Sequence, residues 1–499
     1  MLRALSLVVV ALVAVLVATA SAPGAKQQLE LLKAADYPGL QHLHYQFGPI
    51  KVAAGQNTIE VQINNNKPQV PGFITRFAPN LVFAKSGKVP GVDVVHLHHG
   101  VWLIKGVPTF AAGEEKTAFT VPTGYGLHHD PKDLWLMNYM IHDLTASPTD
   151  VYLTYDIDFL PDSEAAAAGI TRVRPLWMDV AGIRAYPVFD VLRGGGSGGR
   201  YTFPDQAQGD ERKAIGPAHT YTAASDMTIV SAAGHLHPGG LWTDLTSTRD
   251  GQEKLLFRSE AKYWEPAGAV SWDVSMTGTK PEWRVAVRKG DRLDLSATYD
   301  SGRASWYESM GIDVLFVADG IRPEAVDPFS GSIDTLGLVT HGHLAENDNH
   351  GGTGSVGPDA RKLLAGPPVS KVDILHYIYA RGNLGAAGRK GRPPAVKAGK
   401  SLLFTNLDST ATIDWRAAAY HTITACKAPC NKKTGIAYPL ADAKISFDSG
   451  ELGYGPAGFT PAANRNTWQT PKTLPAGTYT YFCRIHPFMR GSFRVTKKG

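Results

Sequence analysis

Tyr481-Phe482-Cys483-Arg484-Ile485-His486-Pro487-Phe488-Met489, near the C-terminus, sets a thiolate, an imidazole and a thioether on one short loop as C-x-x-H-x-x-M. A second imidazole stands upstream at His421, in His421-Thr422-Ile423-Thr424. Two His, one Cys and a weak axial Met form the ligand set of a blue-copper electron-transfer site, in which soft sulfur selects copper and the mixed donors tune its potential. Strand patterns on both sides of the loop place it between two β-strands.

Further out lie three more His-bearing stretches, His96-Leu97-His98-His99, His142 and His235-Leu236-His237, followed by Met310 in Trp306-Tyr307-Glu308-Ser309-Met310-Gly311. Side chains at i and i+2 leave the same face of a strand, so His235 and His237 can grip one ion. Pro238-Gly239-Gly240 then ends that strand. Met310 read alone fills a core gap, but beside the His pair it leaves a further position open for dioxygen. His98 and His99 are adjacent and point to opposite faces of a regular strand, so they share an ion only where the strand is distorted, which Gly100 permits. His96 and His98 share a face without strain and are the rival pair. His142, in Met137-Asn138-Tyr139-Met140-Ile141-His142-Asp143, belongs to a separate strand. Imidazole-only coordination suits copper, zinc, iron or nickel.

The chain of 499 residues exceeds what one core of roughly 250–300 residues supports, so several domains are expected. A net charge of +5 with no long basic run excludes nucleic acid as an obligate partner. Residues 1–20 read as a secretory signal: Arg3, an apolar run from Ala4 to Val17, then the small-residue site Ala18-Thr19-Ala20. That run is short for a span of about 20 residues, so cleavage and a secreted or cell-surface protein with no membrane span are expected. All three cysteines lie late in the chain. With Cys483 given to copper, Cys426 and Cys430 are expected to form a short-loop disulfide in an oxidising compartment.

Short apolar runs separated by Gly, Pro and Asn make the chain all-β from about Tyr37 onward. The boundaries read as 36–165 for a first β domain, 172–343 for a second, 344–369 for a linker rich in Gly, Pro and Asn, and 370–499 for a third. The Ala-rich Ser163–Gly169 separates the first two.

The order His98-His99, His142, His235-x-His237, Met310, with the Trp306–Gly311 segment, resembles the copper type II, ascorbate-dependent monooxygenases over roughly residues 40–345. That family includes peptidylglycine α-hydroxylating monooxygenase and dopamine β-monooxygenase. The resemblance implies two jelly-roll-like β-sandwich domains with one mononuclear copper each. It assigns His98, His99 and His142 to the electron-delivering copper, and His235, His237 and Met310 to the copper that binds dioxygen. The loop from Cys483 to Gly491 is similar to that of amicyanin, which implies a cupredoxin Greek-key β-sandwich over about 370–499 with type 1 ligands His421, Cys483, His486 and Met489. Together these imply an exported copper monooxygenase. It would hydroxylate a C–H bond of a small-molecule or peptide substrate with dioxygen and two electrons. The electrons would come from an external donor through the blue-copper domain, in place of or alongside ascorbate. The resemblance stops at the peptide clamp: where peptide-amidating members carry Arg, Asn and Tyr, this chain has Ala233, Ile312 and Val314. The region also has none of the disulfides of the animal enzymes.

A non-enzymatic copper-binding or electron-transfer protein is the alternative reading. A laccase-like or nitrite-reducing oxidase places His directly beside the blue-copper Cys, whereas Phe482 and Arg484 flank Cys483. His341, His343 and His350 form a further cluster in a loop context. His128-His129 is turn-associated, and His42 and His44 are surface residues of an early strand.

Overall fold

Val151, Leu153, Tyr155, Ile157 and Phe159 alternate along the strand Thr149–Pro161 and are fully buried, the period-2 pattern of a strand with one face on a core. That strand lies between Gln41–Val52 and Gly72–Phe83. The four strands Asn57–Ile63, Trp135–Asp143, Val95–Ile104 and Val107–Ala112 make the facing sheet. Between the two sheets Phe77 stacks on Phe110 at 4.2 Å and meets Trp102 edge-on at 4.7 Å. This aromatic layer closes the first sandwich.

The computed structural model describes residues 31–182, 187–349, 358–414, 418–427, 445–454 and 464–497. The architecture is all-β, with 49% of residues in strands and 5% in helices, so sheets cover one another without a helical layer. Residues 31–499 form one compact unit. The first and second β regions share a continuous 16-stranded sheet. Its junction is the strand Thr171–Asp179, parallel to Tyr125–His129 on one side and antiparallel to Gly311–Asp319 on the other. Gly311–Asp319 also pairs with Met227–Leu236, whose ten residues are all buried. The Ala-rich stretch expected to separate the two regions forms the short helix Asp162–Ala168.

The third region is a sandwich of a four-stranded and a five-stranded sheet over a core that includes Phe404, Tyr481, Cys483, Met489 and Phe493. Phe482 points the other way, into the core of the second sandwich with Trp306 and Val191. Arg484 stacks its guanidinium 5.2 Å from the Trp306 ring and 5.1 Å from Tyr307, and donates to the Ser305 carbonyl. One apolar anchor and one cation over two rings thus fix the Cys483 loop against the second sandwich. Residues 1–20, Cys430 and His350 lie outside the described residues.

Candidate metal centre

Cys483 follows the strand Gly477–Phe482, and Arg490 opens the returning strand Arg490–Thr496. The loop between them is closed by Cys483 N–H on the Met489 carbonyl at 3.2 Å and Met489 N–H on the His486 carbonyl at 2.8 Å. Met489 is buried in the same core as Cys483. His421 comes from the neighbouring chain segment, held in a bridge with Leu452 while Asn406 donates to the Ala419 and Leu452 carbonyls. The ligand atoms converge. Cys483 Sγ lies 3.8 Å from His421 Nδ1 and 3.6 Å from His486 Nδ1, and the two nitrogens are 3.1 Å apart. Among the described residues this is the one group of three His, Cys, Asp or Glu side chains with ligand atoms within 4.8 Å of one another.

The surroundings suit a thiolate and two oriented imidazoles. Thr422 N–H and His486 N–H point at Sγ from 3.3 and 3.4 Å. Asp408 takes His421 Nε2 at 3.0 Å, leaving Nδ1 for the ion, the usual carboxylate–histidine–metal arrangement. Burial works against charge on His421, but Asp408 and the Cys483 sulfur outweigh it and raise its pKa. His486 is pushed well below the ordinary histidine range by burial and by His421. The donor set of two nitrogens, one thiolate and a buried thioether fits copper.

The other predicted ligands form one contiguous cluster. His98 is the extra residue of a β-bulge, since Leu97 pairs with Ile141 and His99 with Met140. The distortion that two adjacent His need is therefore present. Ring centroids lie 4.5 Å apart for His98 and His237, 5.1 Å for His235 and His237, 5.9 Å for His98 and His99, and 5.0 Å for His96 and His142. The two sets expected to be separate thus adjoin through His98 and His237. Met310 sits in line with them. Leu236 pairs with Gly311 and His235 with Ile312, so Met310 falls opposite His237. The Tyr299 hydroxyl accepts the His237 N–H at 3.2 Å and donates to the Met310 carbonyl at 2.5 Å, tying the two backbones to one atom.

Three of these imidazoles have one nitrogen anchored and the other buried without a hydrogen-bond partner. His235 Nδ1 bonds Glu115 at 2.8 Å, His237 bonds the Glu308 carbonyl, and His142 bonds the Ile485 carbonyl. The Nε2 atoms of all three are the orphans. A buried imidazole nitrogen costs stability unless something binds it, so this pattern suits a metal. Burial holds His142 at about 3 and His99 at about 4, and with neighbouring rings it holds His96, His98 and His237 well below the ordinary range. At neutral pH these rings keep their lone pairs.

A cavity of about 120 Å3 is walled by His96, His98, His142 and His237, Trp272 and Glu308, and by Glu451, Arg484 and Ile485 of the third region. A groove of about 1310 Å3 runs from it along Asn57–Ile63, sharing Asn57, Glu308 and Ile485 as lining. Sequence reasoning missed three carboxyls here. Glu308 holds a left-handed φ of 53°, Asp190 is pushed up to about 8 by burial and Glu308, and Glu451 is pushed well above its usual range by the same causes. Nothing in their spacing marks them, because they come from three distant segments. Glu115 was also missed; the register of its loop against His235 has no sequence signature.

The remaining histidines are engaged elsewhere. His341 bonds the Glu115 and Gly342 carbonyls, and His343 pairs with Asp273 and Asp348. His42 and His44 each face an Asp across the sheet, Asp158 and Asp156. His128 meets Asp162, and His129 the Pro68 carbonyl. The expected Cys426–Cys430 disulfide lies outside the described residues.

No family model and no curated protein matches this chain. Among solved structures it is similar to PNGase F, a glycosylasparaginase from Flavobacterium meningosepticum, at 8% identity and a TM-score of 0.29 over 59% of this chain and 98% of that one. It is also similar to the Cu-containing nitrite reductase of Thermus scotoductus SA-01, at 10% identity and a TM-score of 0.17 over 90% of this chain and 91% of that one. Similarities at this level carry no argument about activity.

Proposed function

We propose that this protein is an exported copper-dependent monooxygenase whose C-terminal cupredoxin relays electrons into the histidine cluster. The observation that carries the reading is an unbroken succession of imidazoles across the docking interface. His486 lies 5.7 Å from His142 by ring centroids, and from His142 the contacts continue through His96 and His98 to His237 and His235. His142 is oriented by the Ile485 carbonyl, one residue from the ligand His486. The same interface lets His486 bond the Gly55 carbonyl of the first sandwich. This route replaces the Cys-adjacent His of multicopper oxidases.

Bound copper would supply dioxygen binding and one-electron steps, which no side chain here can supply. Hydroxylation puts one oxygen atom into the C–H bond and reduces the other to water with two electrons and two protons. His421, Cys483, His486 and Met489 would hold the electron-relaying ion, and His235, His237 and Met310 the oxygen-facing one. Glu115 and the Glu308 carbonyl orient the two imidazoles. Trp272 packs 4.8 Å from His237 and 5.5 Å from His98, covering one side of both rings. At about 120 Å3 the cavity is well below the roughly 300–1,000 Å3 of pockets that take drug-sized ligands. A small substrate, or the tip of a larger one lying in the groove, suits it better than a whole peptide.

The alternative, a copper electron carrier without oxygenation, draws on the fact that only the Cys483 group is a compact triad among the described residues. Oxygen uptake by copper-loaded protein with a reductant separates the two. Substrate-coupled uptake that Met310→Ile abolishes supports the monooxygenase. Absent uptake with a normal blue absorption leaves the carrier.

A further inference from the structure

The resemblance assigns the electron-delivering copper to His98, His99 and His142, but the geometry points to a different third ligand. We infer that His96, not His99, completes this site, so that its ligands are His96, His98 and His142. The inference rests on the proposed copper reading and changes which residues carry it.

Register comes first. His96 pairs directly with His142 across the strands Val95–Ile104 and Trp135–Asp143, so their side chains leave the same face side by side. Their ring centroids are 5.0 Å apart and the rings stand at 74°. The protein supplies its own yardstick: the two imidazoles of the Cys483 group have centroids 4.9 Å apart at 63°. The His96–His142 pair therefore already has the separation of two imidazoles poised on one ion. His98 follows at 6.3 Å from His96.

The cavity gives the second argument. Among the described residues its wall takes in His96, His98, His142 and His237, and neither His99 nor His235. An ion at the His142 Nε2 orphan would lie in that chamber, where His96 can reach it. His99 does not line that chamber, and its Nε2 lies 3.4 Å from Asn138 Oδ1. Trp272 packs 5.0 Å from His96. The tandem His98-His99 draws attention in the sequence, but of the two only His98 lines the chamber.

The test is copper stoichiometry and electron paramagnetic resonance of the full chain, with His96→Phe and His99→Phe. Phenylalanine keeps the ring packing and removes the donor nitrogens. The blue absorption of the Cys483 site reports folding in each variant. The expected result is three coppers per chain in wild type and in His99→Phe, and two in His96→Phe, with loss of one type 2 signal. Loss in His99→Phe, retention in His96→Phe, or the same behaviour in both overturns the inference. Should His96→Phe lose its blue colour, crystals of copper-loaded wild type decide: anomalous density beyond bonding distance of His96 refutes it. Wild type that binds a single copper overturns the monooxygenase reading as well. Wild type with substrate-coupled oxygen uptake and an intact third site in His96→Phe overturns the ligand assignment alone.

Discussion

Replacing Glu115 with Ala removes a carboxylate that is fully buried and accepts from His235 Nδ1 and from Gly113 N–H, both at 2.8 Å. Two consequences follow. The His235 ring loses the partner that fixes its tautomer and its direction, a change that typically costs about tenfold to hundredfold in metal affinity, or roughly 1.4–2.8 kcal/mol. A buried N–H is also left without an acceptor, costing about 1–3 kcal/mol of stability in the metal-free protein. The backbone should stay in place. His341 bonds the Glu115 carbonyl at 2.6 Å, and the neighbouring Lys116 pairs with Glu114 at 3.0 Å and Glu346 at 3.5 Å. Glu115→Gln keeps an acceptor oxygen and is expected to lose less than tenfold. Gly113 adds a constraint on repair: a Cβ there would stand 2.8 Å from His235 Cε1, so a bulkier residue cannot replace the lost support. The assay is competitive copper titration against a chelator, with the blue absorption as internal control because Cys483 lies in another region. An Ala variant whose non-blue copper binds within twofold of wild type would refute the positioning argument.

Other outcomes are expected of the same molecule. Asp408→Ala removes the acceptor of His421 Nε2 and of the backbone N–H groups of His376 and Tyr377, at 3.0, 2.7 and 3.0 Å. It should lower the unfolding free energy by about 2 kcal/mol and shift the potential of the blue centre, measurable by urea titration and redox titration. Gly55→Ala places a methyl 2.8 Å from the Tyr377 ring and 3.1 Å from Phe488 at a φ of 68°. The blue absorption should persist while electron transfer from the blue centre slows, which stopped-flow reduction reads directly; an unchanged rate would mean that this contact does not set the route. Asp313 is held at about 7 by burial, against which its bond from Thr243 works. Its folded pKa lies above the unfolded value, so the unfolded chain sheds the proton first and stability falls as pH rises from about 4 to about 7, at about 1.4 kcal/mol per unit. Asp313→Asn should remove that slope, raising the melting temperature at pH 8 and not at pH 4; equal melting temperatures at pH 8 would contradict it.

The sequence by itself determined the all-β class and the Cys483 loop. Both depend on local order: period-2 burial in stretches such as Val151–Phe159, and a ligand spacing of three residues that any tight loop between strands must bring together. It also pointed to His235 and His237 as a pair, and their rings stand 5.1 Å apart although the strand ends at Leu236. Strand pairing decided the rest. Whether His98 and His99 can act together turned on a bulge that no residue type announces. Which imidazole stands beside His142 turned on register, where a slip of one position reverses every face. Met310 falls opposite His237 only because two distant strands align and the Tyr299 hydroxyl joins their backbones. Glu115 reaches His235 from 120 residues away, and the carbonyls of Gly55 and Ile485 reach His486 and His142 from parts of the chain far more distant. Contacts of that kind follow from packing between sheets, and short-range spacing holds no record of them.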